Sequence, residues 1–147
     1  MAGFELTEIL AGRLRLARDG VERPMVVTLH ARSGPLALFR RRPTLAIEGA
    51  IEARGLASHQ RLAGAIDATR LFVDRRLGYA FTFLGDDGAA YAFTGAKTFA
   101  RSGLVTSFTL LVGAIHDARG DLAGEALLRF DLRGDLVRFA KSFRAAR

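Results

Sequence analysis

The chain is 147 residues long, which fits a single domain, and half of it is apolar, enough for one core without staples. It has no cysteine, which excludes a disulfide framework, a thiolate zinc site, an iron–sulfur cluster and cysteine catalysis. The 22 basic against 15 acidic residues give a net charge of +7, a basic surface that suits acidic partners.

Taken in chain order, the sequence alternates with period two, the signature of half-buried strands. Phe4, Leu6, Leu10, Leu14 and Leu16 share one face, with Glu5, Thr7, Arg13 and Arg15 opposite. A turn at Arg18-Asp19-Gly20 leads into a return strand with Met25, Val27 and Leu29 inward and Thr28 and His30 outward. Pro35 to Arg40 reads as a short helical segment, near 35–41, stopped before Pro43. A second hairpin carries Leu45, Ile47 and Ile51 on one face, turns near Gly55 and returns through Leu62 and Ile66. The third runs through Leu77, Tyr79, Phe81 and Phe83, turns at Asp86-Asp87-Gly88 and returns through Tyr91, Phe93 and Gly95; an Asp-Gly pair between alternating runs is a strong hairpin signal. The fourth spans about Val105 to Ile115, turns at Arg119-Gly120-Asp121 and returns through Ala126, Leu128 and Phe130. Asp135 caps a predicted amphipathic helix over 135–144 that carries Leu136, Val137, Phe139, Ala140 and Phe143.

These elements predict an all-β, antiparallel up-and-down barrel of about eight strands in four hairpins, a lipocalin-like architecture, since closure removes exposed edges. A two-sheet sandwich is the alternative, and the short crossovers favour the barrel. Residues 8–40 also align without a gap on 109–141. Leu10 meets Leu111, Gly12 meets Gly113, Ala17-Arg18 meets Ala118-Arg119 and Arg32 meets Arg133. The pattern suggests an internal duplication within one domain, 1–147.

Gly12, Gly49, Gly64, Gly95 and Gly113 fall mid-strand, in phase with apolar neighbours. Two readings stand. The glycines permit the coiling of a small barrel, or their missing side chains leave a cavity for an apolar ligand. In the second case Tyr79, Phe81, Phe83, Tyr91 and Phe93 line the cavity.

No motif specifies chemistry. His30, His59 and His116 lie on outer faces or beside turns, and none has a second ligand at metal-binding spacing. No serine sits in a G-x-S-x-G elbow, and the acidic Gly85 to Gly88 turn has the wrong charge for a phosphate. Glu8 alone among the carboxylates falls in phase with core residues, Leu6 and Leu10. It reads either as a salt-bridged rim residue or as a buried group with acid–base potential, and it joins the five aromatics as a candidate ligand-binding residue. No catalytic residue, metal or cofactor is assigned. Basic residues gather at Arg40, Arg41 and Arg42 and again at Arg138, Lys141, Arg144 and Arg147, away from the aromatics. That separation argues against nucleic acid and leaves a protein or an anionic membrane as partner for the basic surface. The opening MAGFELTEIL lacks a signal-peptide layout, and no apolar run reaches the ~18–20 residues of a membrane-spanning helix, so the expected compartment is cytoplasmic.

The stretch RRLGYAFTFLGDDGAAYAFTGAKTF, followed by TSFTLLVGAIHDARGDLAGEALLRF, carries a recurrent pattern. A Y-x-F-x-F strand (Tyr79–Phe83) precedes the Asp87-Gly88 turn and a Y-x-F-x-G-x-K strand (Tyr91–Lys97). Thr109–Ile115 and Leu128–Phe130 follow. This pattern resembles an accessory β region of large bacterial cholesterol-oxidase-like GMC oxidoreductases, some of them fused to α/β-hydrolase domains. The resemblance implies an association with lipid or sterol metabolism. It carries over no catalytic residue, because the flavin-binding glycine motif and catalytic histidine of that family are absent here. The expected function is a non-catalytic barrel that binds an apolar, lipid- or sterol-like molecule. The alternatives are an interaction module working through its basic surface and a small-barrel isomerase or cyclase.

Overall fold

A computed structural model describes residues 3–98, 110–129 and 144–146 of the chain. Eight antiparallel strands are joined in sequence: β1 (Gly3–Leu16), β2 (Glu22–Arg32), β3 (Thr44–Ala53), β4 (Ala57–Asp67), β5 (Arg76–Leu84), β6 (Ala90–Thr98), β7 (Leu111–Asp117) and β8 (Leu122–Arg129). Each strand pairs with its neighbours in sequence. β1 is long enough to close the ring: it pairs with β2 over Glu5 to Arg15 and with β8 over Ala11 to Leu16. The result is a closed up-and-down barrel and not a sandwich. A three-residue strand, β9 (Arg144–Ala146), adds to β1 opposite Gly3 to Glu5.

The alternation seen in the sequence sets the inside and outside of this wall. Leu6, Leu10, Leu14 and Leu16 of β1, Met25, Val27 and Leu29 of β2, and Leu45, Ile47 and Ile51 of β3 are buried, as are Tyr79, Phe81 and Phe83 of β5. Successive side chains of a strand point to opposite faces, so one buried set per strand lines the interior. The two hairpins whose sequences align also share a register. Leu10 faces Val27 and Gly12 faces Met25, while Leu111 faces Leu128 and Gly113 faces Ala126.

The two ends of the barrel differ. One end carries the four tight hairpin turns, each with a glycine at positive φ: Gly20, Gly55, Gly88 and Gly120. Three of these turns are held by an aspartate that accepts a backbone N–H two residues on, from Val21 to Asp19, Ala89 to Asp87 and Arg119 to Asp117. The turn at Gly55 is braced instead from the next hairpin. Asp86 accepts the Ser58 backbone N–H at 2.7 Å and the Ser58 hydroxyl at 2.8 Å. The opposite end carries the longer connections. α1 (Leu36–Arg41) starts after Pro35 and packs Phe39 against the core. α2 (Leu71–Asp74) is a single turn not anticipated from the sequence, ended by Arg75 in the left-handed region.

The helix expected over 135–144 lies outside the described residues except for Arg144, which is extended and opens β9. The part of the fourth hairpin expected before residue 110 also lies outside them.

The mid-strand glycines answer to close packing. A Cβ on Gly49 would overlap the carbonyl oxygen of Thr28 on β2, and one on Gly64 would overlap that of Ala80 on β5. Neighbouring backbones approach there more closely than any side chain permits, so these positions mark sharp coiling of the wall. The space above Gly95 and Gly113 is taken by the ring of Phe93.

Candidate functional site

Three polar side chains from three strands meet inside the barrel. Glu8 is the sixth residue of β1, Tyr79 the fourth of β5 and Lys97 the last but one of β6, so all three lie toward the end that carries α1 and α2. Inward phase accounts for each. Glu8 follows Leu6 and precedes Leu10, Tyr79 continues into Phe81 and Phe83, and Lys97 completes the series Tyr91, Phe93 and Gly95.

The Tyr79 hydroxyl donates to Glu8 Oε1 at 2.8 Å, and the Lys97 ammonium donates to Glu8 Oε2 at 2.7 Å. Both carboxylate oxygens are thus engaged. Lys97 Nζ also stands 5.2 Å from the centre of the Tyr79 ring, within range of a cation–π attraction. The relative exposures are 1% for Lys97, 2% for Tyr79 and 8% for Glu8, so the cluster is removed from bulk water. Burial pushes the Tyr79 phenol well above its ordinary pKa, and the neighbouring Glu8 carboxylate adds to the shift by charge and by hydrogen bond. Tyr79 therefore stays a hydrogen-bond donor throughout the physiological range. The cluster offers an acidic oxygen pair, an ammonium and a phenolic O–H in a small volume.

An aromatic ladder runs from this cluster along the inner faces of β5 and β6. Phe81 and Phe93 are directly paired and stack with ring centres 4.7 Å apart and planes 12° from parallel. Phe83 and Tyr91, the next inward pair toward the hairpin turn, stack at 5.7 Å. The Tyr91 hydroxyl donates to Asp87 at 3.0 Å at the turn end, where Tyr91 is half-buried.

Of the six residues singled out in the sequence, Glu8 and Tyr79 are in direct contact, and Phe81 and Phe93 form the ladder's middle. Phe83 and Tyr91 belong to its far end. Glu8 is buried and salt-bridged at once. Sequence reasoning missed Lys97. Its in-phase position after Tyr91, Phe93 and Gly95 was the available signal, but a lysine near a strand end normally snorkels to water.

The histidines stay outside the barrel. His30 lies beside Thr7 and Glu5, with Nδ1 3.2 Å from the Thr7 hydroxyl and Nε2 3.6 Å from a Glu5 oxygen. His59 is exposed next to Glu52.

Comparison of the chain with protein-family models, curated proteins and solved structures gave no significant match. The class that the structure defines is therefore that of the fold alone: a closed, eight-stranded antiparallel barrel with a buried Glu–Lys–Tyr cluster near one end.

Proposed function

We propose that the barrel binds a small, largely apolar molecule of the lipid or sterol class, and that the molecule's single polar group engages Glu8, Tyr79 and Lys97. The observation that carries this reading is the convergence of three polar side chains from separate strands among described buried side chains that are otherwise apolar. Burying an ion pair generally stabilises a fold no better than apolar side chains of the same volume would. A specific polar cluster in an apolar interior is the arrangement by which ligand sites orient their occupants. Barrels of about eight strands can enclose one small ligand. The resemblance of the Tyr79–Phe130 pattern to an accessory region of cholesterol-oxidase-like oxidoreductases supports the same ligand class.

A second reading draws on the same cluster. A carboxylate flanked by a phenol and an ammonium is also an acid–base set, of the kind an isomerase or cyclase uses to move a proton on an apolar substrate. Native mass spectrometry of the purified protein, with thermal-shift titration of sterols, fatty alcohols and fatty acids, tests the binding reading. The expected result is a co-purified mass or a saturable rise in Tm that Lys97→Met abolishes. No bound mass and no shift across the panel would overturn it. Conversion of the bound molecule, observed by chromatography, would move the assignment to the second reading.

A further inference from the structure

The end of the barrel nearest the Glu8–Tyr79–Lys97 cluster carries an unusual rim. α1 and α2 belong to adjacent connections. Thr44, just after α1, pairs with Asp67, just before α2, and the Ala68 N–H donates to the Pro43 carbonyl at 2.7 Å. The two connections are thus tied together at their strand ends, while α1 leans on β1 and α2 on β5. Each turns a large aliphatic side chain outward: Leu38 on α1 is 59% exposed and Val73 on α2 is 68% exposed.

Arginines flank these two side chains in the sequence. Arg40, Arg41 and Arg42 close α1, while Arg70, Arg75 and Arg76 frame α2. Only two acids share the two segments, Asp67 and Asp74. Asp74 is bound to Arg70 at 2.7 Å, and Asp67 accepts the Thr69 N–H at 2.9 Å. None of Arg40, Arg41, Arg42, Arg75 and Arg76 pairs with an acid among the described residues. The rim therefore holds much of the chain's net charge of +7.

Exposed aliphatic residues scattered singly need no explanation. Two on tied connections, each flanked in sequence by arginines of which five pair with no acid among the described residues, have the chemistry of an interfacial anchor, in which the aliphatic groups enter the acyl boundary and the cations meet lipid phosphates. We infer that this rim docks the barrel, open connections downward, on an anionic membrane surface. The apolar tips favour a bilayer over a nucleic acid, whose binding would call for stacking aromatics among the arginines. The inference stands on the rim alone. If the barrel also binds a lipid, docking brings the ligand-binding end to the membrane that supplies it.

The test is co-sedimentation of the full chain with phosphatidylcholine vesicles, with and without phosphatidylglycerol. Wild-type protein is expected to pellet with the anionic vesicles and to be released by salt. Each arginine near the surface adds about fivefold to partitioning, so the variant R40Q/R41Q/R42Q should bind roughly a hundredfold more weakly. L38S/V73S should weaken binding while retaining its salt dependence. All the replaced side chains lie on the exposed rim, and circular dichroism with an unchanged Tm verifies that the variants fold. Failure of wild-type protein to pellet, or pelleting undiminished in both variants, would overturn the inference. So would equal binding to single-stranded DNA by wild type and L38S/V73S. Ligand titration without vesicles is read separately and should be the same in the wild type and the rim variants, so docking and ligand binding can fail independently.

Discussion

Lys97 Nζ lies 2.7 Å from Glu8 Oε2, and this pair, 89 positions apart in the chain, joins β6 to β1 across the inside of the barrel. A buried charge whose partner is removed keeps its desolvation penalty without its compensation. Glu8→Leu or Lys97→Met alone should therefore lower stability by about 3–5 kcal/mol. The double variant E8L/K97M removes both charges, and urea denaturation should show it to be more stable than either single variant. Additive losses in the double variant would show that the two residues do not act as a pair.

Tyr79 makes a prediction at alkaline pH. Its folded pKa is raised above the ordinary value of 10.0 by burial and by Glu8. A raised pKa contributes stability that is fully present below the unfolded value and is lost as pH rises above it toward the folded value. The protein should consequently begin to lose stability above about pH 10, and Tyr79→Phe should remove that part of the alkaline loss. At neutral pH the same substitution leaves one Glu8 oxygen without its donor and should cost about 1–3 kcal/mol. Near-ultraviolet titration of tyrosinate has only two tyrosines to follow. Tyr91, also raised by partial burial and by its hydrogen bond to Asp87, should ionise first and in the folded protein, and Tyr79 only as the barrel opens.

Gly64 tests the coiling of the wall. A methyl group there has nowhere to go but into the Ala80 carbonyl on β5. Gly64→Ala should destabilise by about 3 kcal/mol or more, at the upper end of overpacking effects. Gly88, in the β5–β6 turn, has open space around its Cβ position but a φ of 81°. Gly88→Ala should cost about 1–2 kcal/mol, from backbone strain alone. Thermal or urea denaturation distinguishes the two, and equal losses would contradict the close approach at Gly64.

The brace at the turn end predicts an acid dependence. The Asp86 carboxylate is held below its ordinary pKa by the Ser58 backbone N–H, then by the Ser58 hydroxyl and the Gln60 amide. A depressed pKa contributes stability above the unfolded value that is lost as pH falls through the folded value. Asp86→Ala should thus lower Tm at pH 7, with the gap from wild type narrowing below about pH 4. A gap that stays constant across this range would show that the charged form of Asp86 is not the one held.

The hairpins were legible because each carries its own signals. Alternation in β5 and β6 names the inward residues, and Asp87-Gly88 names the turn between them, all within one short stretch of chain. α2 was not legible, since a single helical turn leaves no periodicity to read. The mid-strand glycines were visible as an anomaly, but sequence could not say whether their missing side chains left space. That depends on how closely the next strand approaches, and Thr28 and Ala80 supply the answer from other parts of the chain.

By itself, the sequence determined the strand pattern, the inward face of each strand, the positions of the turns and the placement of Glu8 among core residues. These are local properties, fixed by the two-residue period of an extended chain and the backbone needs of tight turns. Only the tertiary structure decided that β1 closes the ring between β2 and β8, and that Tyr79 and Lys97 arrive on either side of the Glu8 carboxylate. Closure brings together strands whose separation in sequence gives no hint of contact. A charge can remain in an apolar interior only where such a closure delivers its partner, and here the partner of Glu8 is Lys97.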